Sequence, residues 1–102
     1  MLAIVQQYQS DLAELCQRYR VRRLELFGSA ARTDFDPSLS DLDFLVLFER
    51  PSEVDLADRF LGLLADLEKL FARKVDLVDV RAHRNPYFMA EALKHREVVY
   101  AS

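Results

Sequence analysis

Cysteine is nearly absent from this chain of 102 residues: Cys16 stands alone, so no internal disulfide can form. Cys16 falls at an apolar-periodic position of a helical stretch, which predicts a small core residue rather than a reactive thiol. An excess of positive charge is also missing. Fourteen Lys and Arg face 17 Asp and Glu, for a formal charge of −3. That mild acidity argues against general electrostatic capture of a nucleic-acid duplex, and no basic channel for a single strand is visible. No run approaches the roughly 18 consecutive apolar residues of a membrane span. The N-terminal MLAIVQQYQSDLAEL has no basic segment leading into an uninterrupted apolar one, as a signal peptide would. Repeats, low-complexity tracts and linkers are lacking. Residues 1–102 are therefore expected to form one domain of a cytoplasmic protein with no membrane association.

What is present suits a globular fold. Apolar residues make up 51% and charged residues 30%. A chain this long buries roughly two-thirds of its unfolded surface. Ile4, Val5, Tyr8, Leu12, Leu15, Cys16 and Tyr19 recur at helical spacing and predict one helix over about residues 3–19. Val21 to Phe27 reads as a strand stopped by Gly28, and Asp43 to Phe48 as a strand covered on both faces. Leu56, Phe60, Leu63, Leu64, Leu67, Leu70 and Phe71 predict a helix over about 53–71 with Ser52 as its N-cap. Val75 to Val80 is a third strand. Asn85 and Pro86 open a helix running to about His95, and Glu97 to Tyr100 form a short last strand. This order predicts an α/β (α+β) fold, a mixed sheet of about four strands flanked by helices.

Between Phe27 and Phe48 the sequence reads FGSAARTDFDPSLSDLDFLVLF. Gly28 sits where a strand must turn sharply, and glycine permits both the unusual φ and a close backbone approach by phosphate. Ser29 would lie at the start of a short helix, where unpaired N–H groups favour an anion. Alone, Gly-Ser is an ordinary turn. Asp41 and Asp43 are two residues apart at a strand entry, so their carboxylates project from one face and can converge on a cation. Alone, Asp-x-Asp is a solvated turn. Asp76 sharpens both readings, because it interrupts the apolar Val75, Leu77 and Val78 and so needs a partner such as a metal. Asp79 is its rival, but a period of two puts it on the opposite face, where it is expected to be solvated or to cap a turn. Three carboxylates without accompanying Cys or His suit Mg²⁺, one ion or two, completed by substrate phosphates and water. Together with a phosphate-holding turn, the set points to phosphoryl or nucleotidyl transfer, in which Asp76 can also serve as base for the acceptor hydroxyl.

On Gly28-Ser29, eleven intervening residues, Asp41-Leu42-Asp43 and Asp76, the chain resembles the minimal nucleotidyltransferases of the polymerase-beta-like superfamily. Arg32, Asp34, Pro37, Ser40 and the apolar run after Asp43 also fit; Thr33 departs, where many members have glycine. The resemblance implies a nucleotidyltransferase fold over nearly the whole chain. It implies NTP with Mg²⁺, and transfer of AMP from ATP with release of pyrophosphate. Stand-alone members resemble antitoxin halves of toxin–antitoxin pairs, whose partners are small all-helical HEPN-type proteins. The acceptor it implies is a tyrosine of that partner, within a direct complex.

By these readings Asp41, Asp43 and Asp76 are the catalytic and metal-holding residues, and Gly28, Ser29 and Ser40 attend the nucleotide. Ser40 is expected chiefly to fix the loop backbone. Arg32 supports the loop, bracing it through Asp34 or Asp36, or else meets a phosphate. Lys74 is expected to be solvated, with the triphosphate as its other option, and His83 and His95 to be surface residues. Arg18, Arg20, Arg22 and Arg23 cluster locally, as a solvated helix end and strand edge. Tyr87, Phe88, Met89, Val98 and Tyr100 are core or a partner-facing patch. The chain stops soon after its last strand, so the acceptor is expected from a separate molecule, in a homo- or hetero-oligomer. Two other functions stay open: neutralisation of a partner by complex formation without catalysis, and nucleotidyl transfer to a small molecule such as an aminoglycoside.

Overall fold

The fold is known from a computed structural model that describes residues 3–28, 42–49, 55–81, 94 and 96–102. Strands β1 (Val21–Phe27), β2 (Leu42–Phe48), β3 (Val75–Asp79) and β4 (Arg96–Ala101) form one sheet in the order β3-β2-β1-β4. β1 is antiparallel to both β2 and β4, and β2 is parallel to β3. A parallel neighbour demands a long crossover, and helix α3 (Leu56–Phe71) lies on the connection from β2 to β3. The expected mixed four-stranded sheet with helices is the observed one.

Period-two alternation decides which face the helices cover. Leu24, Leu26, Phe44, Val46, Phe48 and Leu77 point to one side and meet Leu12, Cys16, Leu63, Leu67 and Phe71 in the main core. Phe71 is its hub: it stacks on Phe44 at 6.0 Å and receives Tyr8 edge-on at 5.8 Å. Cys16 is fully buried there, and burial pushes its thiol up to about 12, as expected of an inert core residue. The opposite face carries a smaller apolar cluster of Phe27, Leu45, Val78 and Val80. Leu45 is thus buried on the second side of β2, as the unbroken apolar run predicts.

Element ends differ from expectation in two places. The helix predicted over 3–19 is two helices, α1 (Ala3–Gln7) and α2 (Gln9–Arg18), separated at Tyr8. Tyr8 N–H donates to Val5 O at 3.2 Å, an i→i−3 bond that tightens the turn while the ring docks on Phe71. Helix α3 begins at Leu56, with Asp55 at its N-cap. Asp55 makes no side-chain cap; its carboxylate accepts from Arg59 Nη2 at 3.0 Å, one turn on. Ser52, Pro37, Asp36, Thr33, His83, Tyr87, Phe88, Met89, His95 and the helix expected after Asn85 lie outside the described residues. So do the short helix and loop expected over 29–40. Val98 is exposed and Tyr100 half-buried against the main core, so the two divide between surface and core.

Of the clustered arginines, Arg20 and Arg22 are exposed, as the solvated reading expects, and the other two make ion pairs. Arg18 reaches Asp66 of α3 at 3.3 Å, and Arg23 reaches Glu25 at 2.7 Å. Tyr19 Oη donates to the same Asp66 carboxylate at 2.5 Å. Gly62 makes room for that ring, since a Cβ there would lie 2.6 Å from Tyr19 Cε1. The hydrogen bond to Asp66 raises the Tyr19 phenol above its usual 10.0. A raised phenol pKa means stability that is fully present below about pH 10 and lost as pH climbs through the folded-state value. Tyr19→Phe is therefore expected to lower stability by about 1 kcal/mol at neutral pH. Urea unfolding at pH 7 and at pH 11 should show that difference shrinking in alkali. A difference of the same size at both pH values would contradict this.

Candidate active site

The site is built where β1 ends and β2 and β3 begin. Parallel pairing of β2 with β3 sets Asp43 directly beside Asp76. Residues in register on neighbouring strands share a face and lie about 4.8 Å apart. Both therefore stand on the face away from the main core, with Leu45, Val78 and Phe27. Neighbouring carboxylates repel each other unless something positive lies between them. The arrangement favours a cation between them.

Asp76 is not the desolvated carboxylate that its apolar neighbours predict. Asp76 is exposed, because the second face of β3 opens to solvent at its first residues. What singles it out is register rather than desolvation. Asp79 falls on the other face, where its Oδ1 accepts from Arg81 N–H at 2.9 Å, the turn-capping role expected of it. Glu68 of α3 fixes the start of β3 by accepting from Val75 N–H at 3.1 Å, and Leu42 N–H reaches Lys74 O at 3.4 Å. Those two bonds flank the Asp43–Asp76 pair on its helix side. The Lys74 side chain is exposed, as the solvated reading expects.

Gly28 has φ +67, the left-handed region expected for a sharp turn. Its missing Cβ has a second use. A Cβ there would lie 2.6 Å from Asp43 Oδ2, so glycine leaves the space that the carboxylate occupies. The close approach that Gly28 permits, among the described residues, is by Asp43. Ser29, Arg32, Asp34, Ser40 and Asp41 lie outside the described residues. Among the described residues no group of three metal-ligating side chains occurs.

Two oxygen donors on one face, one of them open to solvent, fit Mg²⁺, which takes one or two carboxylates and fills its remaining positions with water and phosphate oxygens. Sequence reasoning missed a third carboxylate on this face. Glu25 of β1 is buried at 5% exposure between Arg23 and Arg96, the latter at 3.6 Å. Its signal was a single Glu inside the apolar LELF of β1.

The chain is thus an α/β protein whose mixed sheet bears an acidic pair beside a left-handed glycine turn. The nucleotidyltransferase domain model matches residues 12–99, and the chain belongs to that family of enzymes. Two Methanocaldococcus jannaschii proteins, each provisionally named a protein adenylyltransferase, are similar to it. One is 36% identical over 72% of this chain and 71% of its own length; the other is 39% identical over 72% and 70%. A solved structure provisionally described as a minimal nucleotidyltransferase is 31% identical, with a TM-score of 0.65 over 91% of this chain and 90% of that one. The fold is shared, at 18% identity and a TM-score of 0.65, with a chain in the structure of a tri-AMPylated Shewanella oneidensis HEPN toxin in complex with MNT antitoxin. That match covers 96% of this chain and 73% of the other. No helix among the described residues is long and apolar enough to cross a membrane.

Gly28→Ala should displace the Asp43 carboxylate and force alanine into a left-handed conformation. The expected outcome is a stability loss of about 1–2 kcal/mol with the fold retained, and nucleotidyl transfer reduced more than tenfold. Thermal melts beside an activity assay would check it. Full activity in Gly28→Ala would show that the Asp43 contact is dispensable.

Proposed function

We propose that this protein is an Mg²⁺-dependent adenylyltransferase that moves AMP from ATP to a hydroxyl of a partner protein, a tyrosine of a small all-helical HEPN-type toxin, and so acts as its antitoxin. The observation that carries the reading is the in-register pairing of Asp43 with Asp76 beside the Gly28 turn. Support for a protein acceptor comes from the relatives provisionally named protein adenylyltransferases. A HEPN partner is suggested by the fold shared with the antitoxin complex whose toxin is tri-AMPylated. A toxin–antitoxin structure with AMP-PNP, at 19% identity and a TM-score of 0.66, is consistent with a nucleotide as donor. The reaction belongs in the cytoplasm, where ATP is plentiful.

In this mechanism Asp43, Asp76 and Asp41 would hold the metal, which would neutralise the triphosphate and acidify the acceptor hydroxyl. Gly28 and Ser29 would attend the phosphates, and Ser40, Arg32 and Asp34 would support the loop. The acceptor oxygen attacks the α-phosphorus, the bond from that phosphorus to the bridging oxygen breaks, and pyrophosphate departs with the electron pair. The hydroxyl proton passes to a carboxylate, for which exposed Asp76 is suitably placed.

The test mixes the protein, Mg²⁺ and α-labelled ATP with the product of the adjacent gene, with and without an aminoglycoside. Label on the protein partner that disappears with Asp43→Asn, by at least a hundredfold, is the expected outcome. Label on the aminoglycoside would replace the acceptor. A complex that forms and neutralises its partner without transferring label would replace catalysis with binding.

A further inference from the structure

The reaction face has a cationic edge that the carboxylate site does not use. Phe27 is the register partner of Asp43 on one side and of Arg96 on the other. One row therefore crosses the sheet as Asp76, Asp43, Phe27, Arg96. Gly28 follows Phe27 directly, so its turn lies between the acidic pair and Arg96.

Arg96 is held there by an unusual neighbour. Glu25 lies opposite Leu45 and Val98, an apolar row in which leucine would serve the sheet as well. Instead a carboxylate is buried at 5% exposure, with Arg23 Nε at 2.7 Å from Oε1 and Arg96 Nε at 3.6 Å from Oε2. Oε2 is buried and accepts no hydrogen bond, with the Arg96 guanidinium beside it. Buried ion pairs rarely outperform apolar packing for stability, so the pairing is better explained by what it orients. Two guanidinium groups around one carboxylate leave an uncompensated positive charge. Arg96 is the half-exposed member at the Gly28 end, with its side chain 46% accessible. Nε is the guanidinium nitrogen set against Glu25, and the half-accessible side chain can offer its fork to an anion. A planar fork of that kind suits phosphate oxygens.

We infer that Arg96, aimed by Glu25, binds the β- and γ-phosphates of the nucleoside triphosphate on the side of the Gly28 turn opposite the carboxylate-held metal. This rests on the nucleotidyl-transfer reading of the same site. Arg96 is then a substrate-binding residue and Glu25 its positioning residue. Arg96 also stays in contact with the pyrophosphate as it leaves.

The experiment compares binding of an ATP analogue with a methylene α–β bridge, in Mg²⁺, with binding of AMP, which lacks both outer phosphates. Arg96→Ala should weaken the analogue at least tenfold and leave AMP unchanged. Arg96→Lys should restore part of the loss, and Glu25→Gln should weaken the analogue to a lesser degree. Equal losses for AMP and the analogue would mean a structural role and overturn the inference. So would analogue binding to Arg96→Ala at wild-type strength. Failure of the analogue to bind wild-type protein would overturn the nucleotidyl-transfer reading itself, and this inference with it.

Discussion

Two like charges placed side by side are the constraint around which this molecule is arranged. Parallel pairing of β2 with β3 puts Asp43 and Asp76 on adjacent strands in the same row, and nothing in sheet packing asks for that. A shift of one residue in register would send Asp76 to the helix side and bring a neighbouring apolar residue to Asp43. The pairing therefore has to be held. The long crossover through α3, the grip of Glu68 on Val75, and the continuous apolar run of β2 all hold it. The main core then serves the site indirectly: Phe71 at the end of α3 stacks on Phe44, the residue after Asp43.

The two faces of the sheet divide the work. One is sealed by helices and contains the inert Cys16 thiol; the other carries the charged residues, Asp76 exposed and Glu25 buried between two arginines. On that open face the charges are ordered along one row, acidic on β2 and β3, apolar at Phe27, cationic on β4. Gly28 terminates the row's centre and lends its missing side chain to Asp43. A substrate that is anionic at one end and metal-bound along its length matches such a gradient better than a uniformly charged patch would.

Much of this was legible in the residues. The unbroken apolar FLVLF of β2 and the three-four spacing in α3 located strand and helix, because burial on both faces of a strand or one face of a helix imposes those patterns. The opposite faces of Asp76 and Asp79 followed from the period of two along a strand. Helix ends were less legible. Arg20 and Ala72 adopt φ of 58 and 52 with no glycine to announce the turn, and Tyr8 interrupts a helix whose apolar spacing is unbroken. Asp76 was singled out for the wrong reason: it looked buried from its neighbours, but accessibility depends on what covers a strand's second face, which no local pattern encodes. Glu25 and Arg96 are far apart in sequence, and only the antiparallel register of β1 with β4 brings them together. The family resemblance, by contrast, rests on the order and spacing of Gly28-Ser29, Asp41-Leu42-Asp43 and Asp76.

The most direct test of the account is whether Asp43 and Asp76 share a cation. Electron paramagnetic resonance of Mn²⁺, titrated with the methylene-bridged ATP analogue present, would report it for wild type and for Asp43→Asn, Asp76→Asn and Asp79→Asn. The account predicts that the first two substitutions each weaken Mn²⁺ binding at least tenfold while Asp79→Asn leaves it unchanged. Undiminished binding in Asp76→Asn, or an equal loss in Asp79→Asn, would contradict it.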